Sequence, residues 1–339
     1  LAKFGLAPYQ AANFVSAVAG AITIGNVAWL LTLLVRRRVA VFCGAALLMC
    51  SHGLWHQASV AEVMTFSTML LSLELVLVVK SIGTRRSSWL IGAAFVNGLG
   101  LATHNMSLLI WPAYVVLIGM HRRRIPQPVW RTVLLCLGAL CVGASPLAML
   151  FVDTLRQSGD MGDALSQMLA GRYADYVYHL SLSFQTLARM FAYSGYNFPT
   201  PLVLLAIPGA LALWRSEPRE LFWFLTIAFC GYFVFAVRYV VPDQHTFMLH
   251  SYLFVAVFVA IGVDALPNWG RGPHSGPYTA RGVVVVVVLV ALSLAAPVVY
   301  AVLPDYLRSH YANLVPLPSR QIRHSDKFDW FLKPWHGGY

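Results

Sequence analysis

Apolar residues along this chain occur in runs that are long enough to cross a membrane. An α-helix rises about 1.5 Å per residue, so roughly 20 apolar residues span a bilayer. The apolar runs predict ten membrane helices: 13–35, 39–54, 63–81, 88–103, 105–120, 131–152, 199–214, 220–241, 246–266 and 282–303. The runs 88–103 and 105–120 are short, so they form either two full spans or a re-entrant hairpin.

Basic residues predict the orientation of these helices. Five short breaks between the runs, at 36–38, 80–88, 121–131, 215–220 and 267–281, contain fourteen of the 24 Lys and Arg residues. The intervening turns at 55–62 and 104 contain none. Because cytoplasmic loops of membrane proteins are enriched in Lys and Arg, the five basic loops are predicted to be cytoplasmic.

Two longer segments, 153–198 and 304–339, fall on the opposite, extracytoplasmic side by this count. Leu180, Phe184, Leu187 and Phe191 recur at helical spacing, which predicts an amphipathic helix within the first segment. The second segment is rich in Pro, aromatic and charged residues, and we expect an extended tail. The predicted domains are therefore a transmembrane domain at 1–303 and an extracytoplasmic tail at 304–339, the start of a C-terminal region.

Composition supports an all-α, polytopic membrane bundle. The chain is 58% hydrophobic and only 11% charged, whereas a soluble domain carries about 25% charged residues. The net charge of +11 would favour nucleic-acid binding in a soluble protein. Here it is spread over several loops, so no nucleic-acid partner is expected. The five cysteines lie inside apolar runs without metal-ligand spacing, and no metal or cofactor is expected.

Candidate chemistry lies at the outer ends of the predicted helices. Ionisable residues at membrane depth or at one interface are the informative ones in a membrane protein. Glu62 begins a hydrophobic helix, so it either lines a functional cavity or is an ordinary interfacial group. Arg238 either contacts a ligand or pairs only with Asp243. The predicted substrate-binding residues are Glu62, His104, Arg172, Arg238, Asp243 and His245.

Several stretches resemble the protein O-mannosyltransferase-like family of GT-C membrane glycosyltransferases. The stretch GLWHQASVAEVMTF is similar to a family element in which Ala-Glu-Val precedes a Tyr, here replaced by Met64. NGLGLATHNMSLLIWPA is similar to an element that ends in His before an apolar helix. GDMGDALSQMLAGRYADY, VVPDQHTFMLHSYLFVAVFVAIG and RHSDKFDWFLKPWHGGY resemble later family segments, in the family's order.

The resemblance implies an enzyme that moves a sugar, with mannose the first candidate, from a polyprenyl-phosphate donor. The acceptor would be an extracytoplasmic hydroxyl of a protein or glycan, and the protein would lie in a bacterial inner membrane. Arg172, Arg238 and His245 would contact phosphate, while Glu62 and His104 would shape the cleft. Family members carry their catalytic aspartate in a first outer loop that would precede Leu1. We therefore expect an internal fragment that binds donor but transfers no sugar.

Two other functions remain open from the sequence. A transporter or flippase of a lipid-linked substrate would show inverted repeats and broken helices at the membrane midplane, and neither is evident in the sequence. A non-catalytic membrane subunit is the third possibility. No nucleotide-binding loop, zinc-protease helix or nucleophile elbow is present, which argues against ATP-driven transport and hydrolysis.

Overall fold

The structure, a computed structural model, describes residues 7–121, 128–169, 183–239, 241, 244–266, 280–312 and 326–335. Within these ranges every regular element is a helix, and the predicted all-α fold is confirmed. The predicted cytoplasmic loops at 121–131 and 267–281 lie largely outside the described residues. Arg172 and Asp243, two of the predicted binding residues, also lie outside the described residues.

The α-helices follow one another along the chain with short connections. They are α1 (Pro8–Leu34), α2 (Arg38–Met49), α3 (His52–Ser59), α4 (Val63–Thr84), α5 (Ser87–Thr103), α6 (Trp111–His121), α7 (Val129–Gly143), α8 (Ser145–Ser158), α9 (Met161–Leu169), α10 (Phe184–Asn197), α11 (Ala206–Arg215), α12 (Arg219–Arg238), α13 (Leu249–Ala265), α14 (Ala280–Ser293), α15 (Ala296–Tyr311) and α16 (Lys327–Leu332). Short 3₁₀-helices occupy Asn105–Ile110, Pro201–Leu205 and Gln244–Met248.

Each predicted apolar run overlaps one or two of these helices. Four helices among the described residues are long and apolar enough to cross a membrane: Pro8–Leu34, Val63–Thr84, Arg219–Arg238 and Gln244–Ala265. The number rises to eight if each bent helix pair counts as one span. Ser87–Thr103 and Asn105–Met120 are shorter apolar helices. The chain is therefore a polytopic membrane protein, and the choice between two spans and a hairpin at 88–120 stays open.

Three runs predicted to be continuous helices, 39–54, 131–152 and 282–303, are instead bent. The bends measure 54° between α2 and α3, 59° between α7 and α8, and 48° between α14 and α15. Pro146 and Pro297 lie in the first turns of α8 and α15. Proline lacks the N–H that would continue the preceding helix, so the chain turns there. At the first bend, the Leu48 carbonyl accepts from both the backbone N–H and the hydroxyl of Ser51, at 3.1 and 2.7 Å, so Ser51 closes the end of α2.

The helices form two compact units, and each is described separately. The first comprises Leu1–Thr65, Ala192–Ser216 and Tyr252–Tyr339, and the second comprises Phe66–Phe191 and Glu217–Ser251. In the first unit, hydrogen bonds join the α1–α2 turn to α13. The backbone N–H groups of Arg36 and Arg37 donate to the Asp264 carboxylate at 3.2 and 2.9 Å. This carboxylate satisfies donors that the beginning of α2 leaves unpaired.

The C-terminal residues of the first unit are folded, so the expected extended tail is wrong for the described part of 304–339. Helix α15 continues to Tyr311, and Lys327–Leu332 forms α16. Phe328 is buried, and the Asp326 carboxylate accepts from its N–H at 2.7 Å, which caps α16. A buried aromatic side chain contributes a large apolar area, so Phe328 can hold a short helix in place without a long apolar face.

Side chains of the first unit hold this segment in place. The Tyr196 hydroxyl donates to the Leu332 carbonyl at 2.6 Å, and the Ser59 hydroxyl donates to the Pro334 carbonyl at 3.0 Å. Asp329 pairs with Arg308 at 2.7 Å and with Lys333 at 2.8 Å. We call residues 326–335 the docked segment.

The ion pairs also set the protonation of the docked segment. Partial burial alone would raise the pKa of Asp329, but hydrogen bonds from Lys333 and Arg308 outweigh it and hold that pKa below its ordinary value. A hydrogen bond to Asp329 likewise raises the pKa of Lys333. Both side chains are therefore charged at neutral pH, and their pairing stabilises the docked segment.

In the second unit, α5 and α7 pack closely through glycine. A Cβ added at Gly98 would lie 2.9 Å from the backbone nitrogen of Ala144 and closer still to the carbonyl oxygen of Leu140. The same holds in reverse for Gly143, whose added Cβ would overlap the backbone of α5 at Phe95. Small residues allow such close approach of membrane helices. Gly98 and Gly143 thus allow the backbones of α5 and α7 to touch.

The buried carboxylate of the second unit has a structural partner. Glu74 is 2% exposed, and the Tyr114 hydroxyl donates to it at 2.6 Å. Asn97 is also buried, accepts from the Trp111 indole N–H at 2.9 Å and donates to the Ser107 carbonyl at 3.0 Å. Glu74 and Asn97 are therefore hydrogen-bonding groups inside the bundle.

Candidate functional site

His104 lies in the turn between α5 and the Asn105–Ile110 helix, in the second unit. Its Nδ1 accepts a hydrogen bond from the Met106 N–H at 3.2 Å, which caps the following helix. An accepting Nδ1 places the proton of the neutral ring on Nε2. Burial lowers the pKa of His104, so the ring is neutral at pH 7. His104 is therefore a neutral hydrogen-bond donor through Nε2, and it is not poised to act as a base.

Arg238 is the last residue of α12, in the same unit. It is partly buried, and its Nε has no hydrogen-bond partner among the described residues. The alternative partner, Asp243, lies outside the described residues, so the choice between ligand contact and a pair with Asp243 stays open. A guanidinium can bind phosphate oxygens through two parallel N–H groups. The Nε–H of Arg238 is therefore buried and unpaired among the described residues, and a phosphate oxygen would satisfy it.

Gln244 fixes the turn that follows Arg238. Its side-chain Nε2 donates to the carbonyl oxygens of Ala236 and Val237, both at 2.9 Å. These carbonyls are among the unpaired acceptors at the end of α12. Gln244 therefore holds the Gln244–Met248 helix, including His245, against the end of the helix that carries Arg238. The sequence placed Gln244 in this outer turn but gave no sign of its capping role.

Phe247 joins this turn to His104. Its ring centroid lies 6.1 Å from that of His104 and 4.7 Å from that of Tyr239, with edge-to-face geometry in both pairs. Tyr239 directly follows Arg238 and stacks on Phe235 at 5.2 Å. Phe235, Tyr239 and Phe247 therefore form an aromatic cluster that lies against the ring of His104. His104 and the turn that carries His245 lie side by side.

Helix α9 approaches the same turn from the long outer segment. The Asn105 side chain donates to the carbonyl oxygen of Met168 at 2.8 Å. Arg172 follows Met168 by four residues in sequence. Asp160 accepts from the Asp163 N–H at 3.0 Å, so it caps the beginning of α9. The structure thus shows that Ser145–Ser158 and Met161–Leu169 are helices, and that the second of them contacts the His104–Asn105 turn.

Below this turn, a buried histidine was missed by sequence reasoning. His250 is 1% exposed, its Nε2 lies 3.0 Å from the Ser67 hydroxyl, and its ring stacks on Tyr232 at 5.0 Å. Its Nδ1 has no hydrogen-bond partner among the described residues. A lone histidine in an apolar run carries no distinguishing signal in one sequence. Its burial between α4 and α12 depends on tertiary packing.

Glu62 lies in the first unit and is exposed. Its backbone N–H and carbonyl exchange hydrogen bonds with the Ser16 hydroxyl at 3.2 and 3.3 Å. These contacts tie the beginning of α4 to α1. The convergence of Glu62 with the residues of the second unit stays a prediction. The described residues contain no group of three His, Cys, Asp or Glu side chains placed to hold a metal ion.

The N-terminal part of the chain matches a known protein family. Residues 2–126 match the family described as "Protein O-mannosyl-transferase TMEM260 N-terminal domain". This part of the chain is similar to the TMEM260 N-terminal domain. The match supports the resemblance to protein O-mannosyltransferases and includes Glu62 and His104. Arg172, Arg238, Asp243 and His245 lie beyond the stretch that matches TMEM260. Neither the curated proteins nor the solved structures contain a match to this chain.

Proposed function

We propose that this protein is a GT-C membrane glycosyltransferase that takes a sugar, with mannose the first candidate, from a polyprenyl-phosphate donor. The acceptor is an extracytoplasmic hydroxyl, such as that of a protein Ser or Thr. The match of residues 2–126 to a protein O-mannosyl-transferase domain is the observation that carries this proposal. We further propose that it works in a bacterial inner membrane, with its basic loops in the cytoplasm.

The site in the second unit supplies groups suited to a phosphate ester. Arg238 offers a partly buried cation whose Nε has no hydrogen-bond partner among the described residues. His104 offers a neutral Nε2–H donor because its Nδ1 is engaged by Met106. When the bond between the sugar carbon and the phosphate oxygen breaks, negative charge builds on the leaving phosphate. Fixed donors stabilise that charge more in the transition state than in the bound donor, and this difference lowers the barrier.

The acceptor hydroxyl also has to lose its proton. A base acts within about 2.6–3.2 Å of the hydroxyl, and the described residues of this site contain no carboxylate in such a role. His104 is excluded as the base by its tautomer. We propose that the proton acceptor is a carboxylate outside this group of residues, and Glu62 is the first residue to test.

A transfer assay with the full-length protein tests the proposal. Purified protein in lipid is given radiolabelled mannosyl polyprenyl phosphate and a Ser/Thr peptide, and peptide-bound label is counted. The proposal predicts label on the peptide and release of polyprenyl phosphate. No transfer from any polyprenyl-phosphate sugar to a peptide or glycan would refute it.

Variants assign the site within that assay. Arg238→Gln removes a charge-assisted hydrogen bond to phosphate, which is worth about 1.5–3 kcal/mol, so kcat/KM should fall roughly 10- to 150-fold. Arg156→Gln is the matched control, because Arg156 makes only an exposed 3.9 Å pair with Asp153 in the same unit. Equal losses in both variants would show that Arg238 does not contact the donor.

A transporter or flippase is the second candidate, and the structure favours it more than the sequence does. No broken helices were predicted from the sequence, whereas four helix pairs of the described chain are bent by more than 40°. Broken helices line the substrate sites of many transporters. Vesicles loaded with a fluorescent polyprenyl-phosphate lipid distinguish the two functions. Movement between leaflets without sugar transfer would support the transporter.

A further inference from the structure

A cavity of about 180 Å³ lies between α5, α6 and α7 in the second unit. Its walls are almost entirely apolar, and side chains of all three helices line it. Leu90 and Ala94 of α5 line it over one turn, and Val133 and Leu137 of α7 do the same. From Leu90 to the uppermost lining residue on α5, Asn97, the cavity is about 10 Å long by helix rise. An apolar cavity of about 150 Å³ stays dry and accepts apolar molecules.

The cavity is closed at one end. There the Trp111 indole donates to Asn97 at 2.9 Å, and both side chains line the cavity. Just beyond, Gly98 allows α5 to touch the backbone of α7 at Leu140. This end lies toward His104, which follows α5 directly in sequence. A molecule in the cavity therefore cannot extend from it toward the His104 turn between α5 and α7.

The cavity reaches the surface through its side wall. Val115 of α6 is 72% exposed and Leu137 of α7 is 52% exposed, and both line the cavity. In a membrane helix bundle such exposed apolar side chains face hydrocarbon. A hydrocarbon chain from the surrounding bilayer can thus enter sideways, without passing through a polar region.

Basic side chains gather at the other end. Arg86 immediately precedes α5, four residues before Leu90, and Arg131 lies two residues before Val133 in α7. By helix rise these residues are about 6 and 3 Å along the axes from the cavity lining. Lys80 of α4 belongs to the same end, because its ammonium lies 4.1 Å from the ring of Trp89, the neighbour of Leu90.

The guanidinium groups at this end have no anionic partner among the described residues. Arg85, Arg86 and Arg131 are exposed, and no described carboxylate pairs with them. Arg131 makes a cation–π contact with its neighbour Trp130 at 5.2 Å. Three positive charges without a carboxylate partner among the described residues therefore lie near the basic end of an apolar cavity. This combination matches a molecule with an anionic head and a hydrocarbon chain.

We propose that this cavity and its basic end bind an anionic phospholipid. Part of one acyl chain occupies the cavity between α5, α6 and α7, and the phosphate lies among Arg85, Arg86 and Arg131. Basic pockets between membrane helices on the cytoplasmic side are suited to anionic headgroups. The site is distinct from the proposed donor site, because the 17 residues of α5 separate Arg86 from His104 by about 25 Å.

Native mass spectrometry tests this site on the full-length protein. The protein in detergent is equilibrated with vesicles of phosphatidylcholine and phosphatidylglycerol in equal amounts, and the retained lipids are identified. The proposal predicts one retained phosphatidylglycerol in preference to phosphatidylcholine. The preference should weaken as salt rises, since exposed charges are screened. Equal retention of the two lipids would overturn the proposal.

A charge-matched pair of variants locates the headgroup. The triple variant Arg85→Gln, Arg86→Gln, Arg131→Gln should lower the preference for phosphatidylglycerol by roughly fivefold for each charge removed. The control Arg36→Gln, Arg38→Gln, Arg215→Gln removes the same net charge from other predicted cytoplasmic loops and should retain the preference. The same loss in both triple variants would overturn the proposed site.

A second pair of changes locates the acyl chain. Ala94→Phe fills the cavity, and Val115→Trp narrows its open side at an exposed position where folding is less at risk. Both should lower retention of phosphatidylglycerol, while sugar transfer by the same preparations stays unchanged. Unaltered retention in a folded Val115→Trp protein would show that the chain lies elsewhere. Displacement of the retained lipid by an equal amount of polyprenyl phosphate would assign the cavity to the donor and refute the proposal.

Discussion

Replacing Gly98 with alanine tests the close contact between α5 and α7. The added methyl group would overlap the Leu140 carbonyl oxygen and lie 2.9 Å from the Ala144 nitrogen. Both are backbone atoms, so no side chain can rotate away, and the two helices have to separate. Inserting one methyl group into a tightly packed interior costs about 1–3 kcal/mol. Alanine also favours a helix over glycine by about 1 kcal/mol, which offsets part of this cost.

Gly92→Ala is the matched control on the same helix. A Cβ at Gly92 would lie 3.7 Å from a Leu77 methyl carbon, which is an ordinary contact. This variant keeps the gain in helix propensity without the clash, so it should be neutral or more stable by up to about 1 kcal/mol. The two variants carry the same chemical change and differ only in what surrounds the new methyl group.

Unfolding of the purified protein in mixed micelles, followed by far-UV circular dichroism, compares the two variants. We expect Gly98→Ala to be less stable than Gly92→Ala by about 1–3 kcal/mol, the steric cost alone. Equal stability of the two variants would refute the close contact, since the helix-propensity gain is common to both. A stabilised Gly98→Ala protein would refute it as well.

Further predictions concern topology and the docked segment. Cysteines introduced at Ser87 and Ser183 should react with a membrane-impermeant maleimide from opposite faces of intact cells, and labelling of both from one face would contradict the predicted orientation. Asp329→Asn removes pairs to Arg308 and Lys333, and these partly exposed pairs are worth about 1 kcal/mol each at most, so amide exchange in 326–335 should speed up several-fold. Because the folded pKa of Asp329 is lowered, its stabilisation is present above the ordinary aspartate value and lost as pH falls through the folded pKa. The protection factor of the segment, which is the exchange rate corrected for its intrinsic pH dependence, should therefore be constant from about pH 5 to 8 and fall in acid, and a change between pH 5 and 8 would contradict this.

The helical fold was predictable because long apolar runs are typical of membrane helices. The bends were only partly predictable. Pro146 and Pro297 lie within two of the predicted runs and are visible signals for a break. The bend at Ser51 has no such signal, because serine occurs both at helix breaks and inside continuous helices.

The candidate site was less predictable than the fold. His104 and Arg238 stand out in sequence as polar groups at the ends of apolar runs. The contact that relates them depends on Phe247, which lies 143 residues after His104 and looks like any aromatic residue in an apolar run. The docked segment was missed for the same reason. Its anchors, Tyr196 and Ser59, are distant in sequence and ordinary in type.

The hydrogen bonds from the backbone N–H groups of Arg36 and Arg37 to Asp264 have a consequence for how the chain is synthesised. The N–H of Arg36 emerges from the ribosome 228 residues before the carboxylate that accepts it. At about 5–20 residues per second, that interval lasts about 11–46 s. During synthesis the beginning of α2 is therefore without its partner, and interfacial water or lipid headgroups have to solvate the two donors. The turn between the first two helices closes only when α13 has been inserted, so the first unit is completed late in biogenesis.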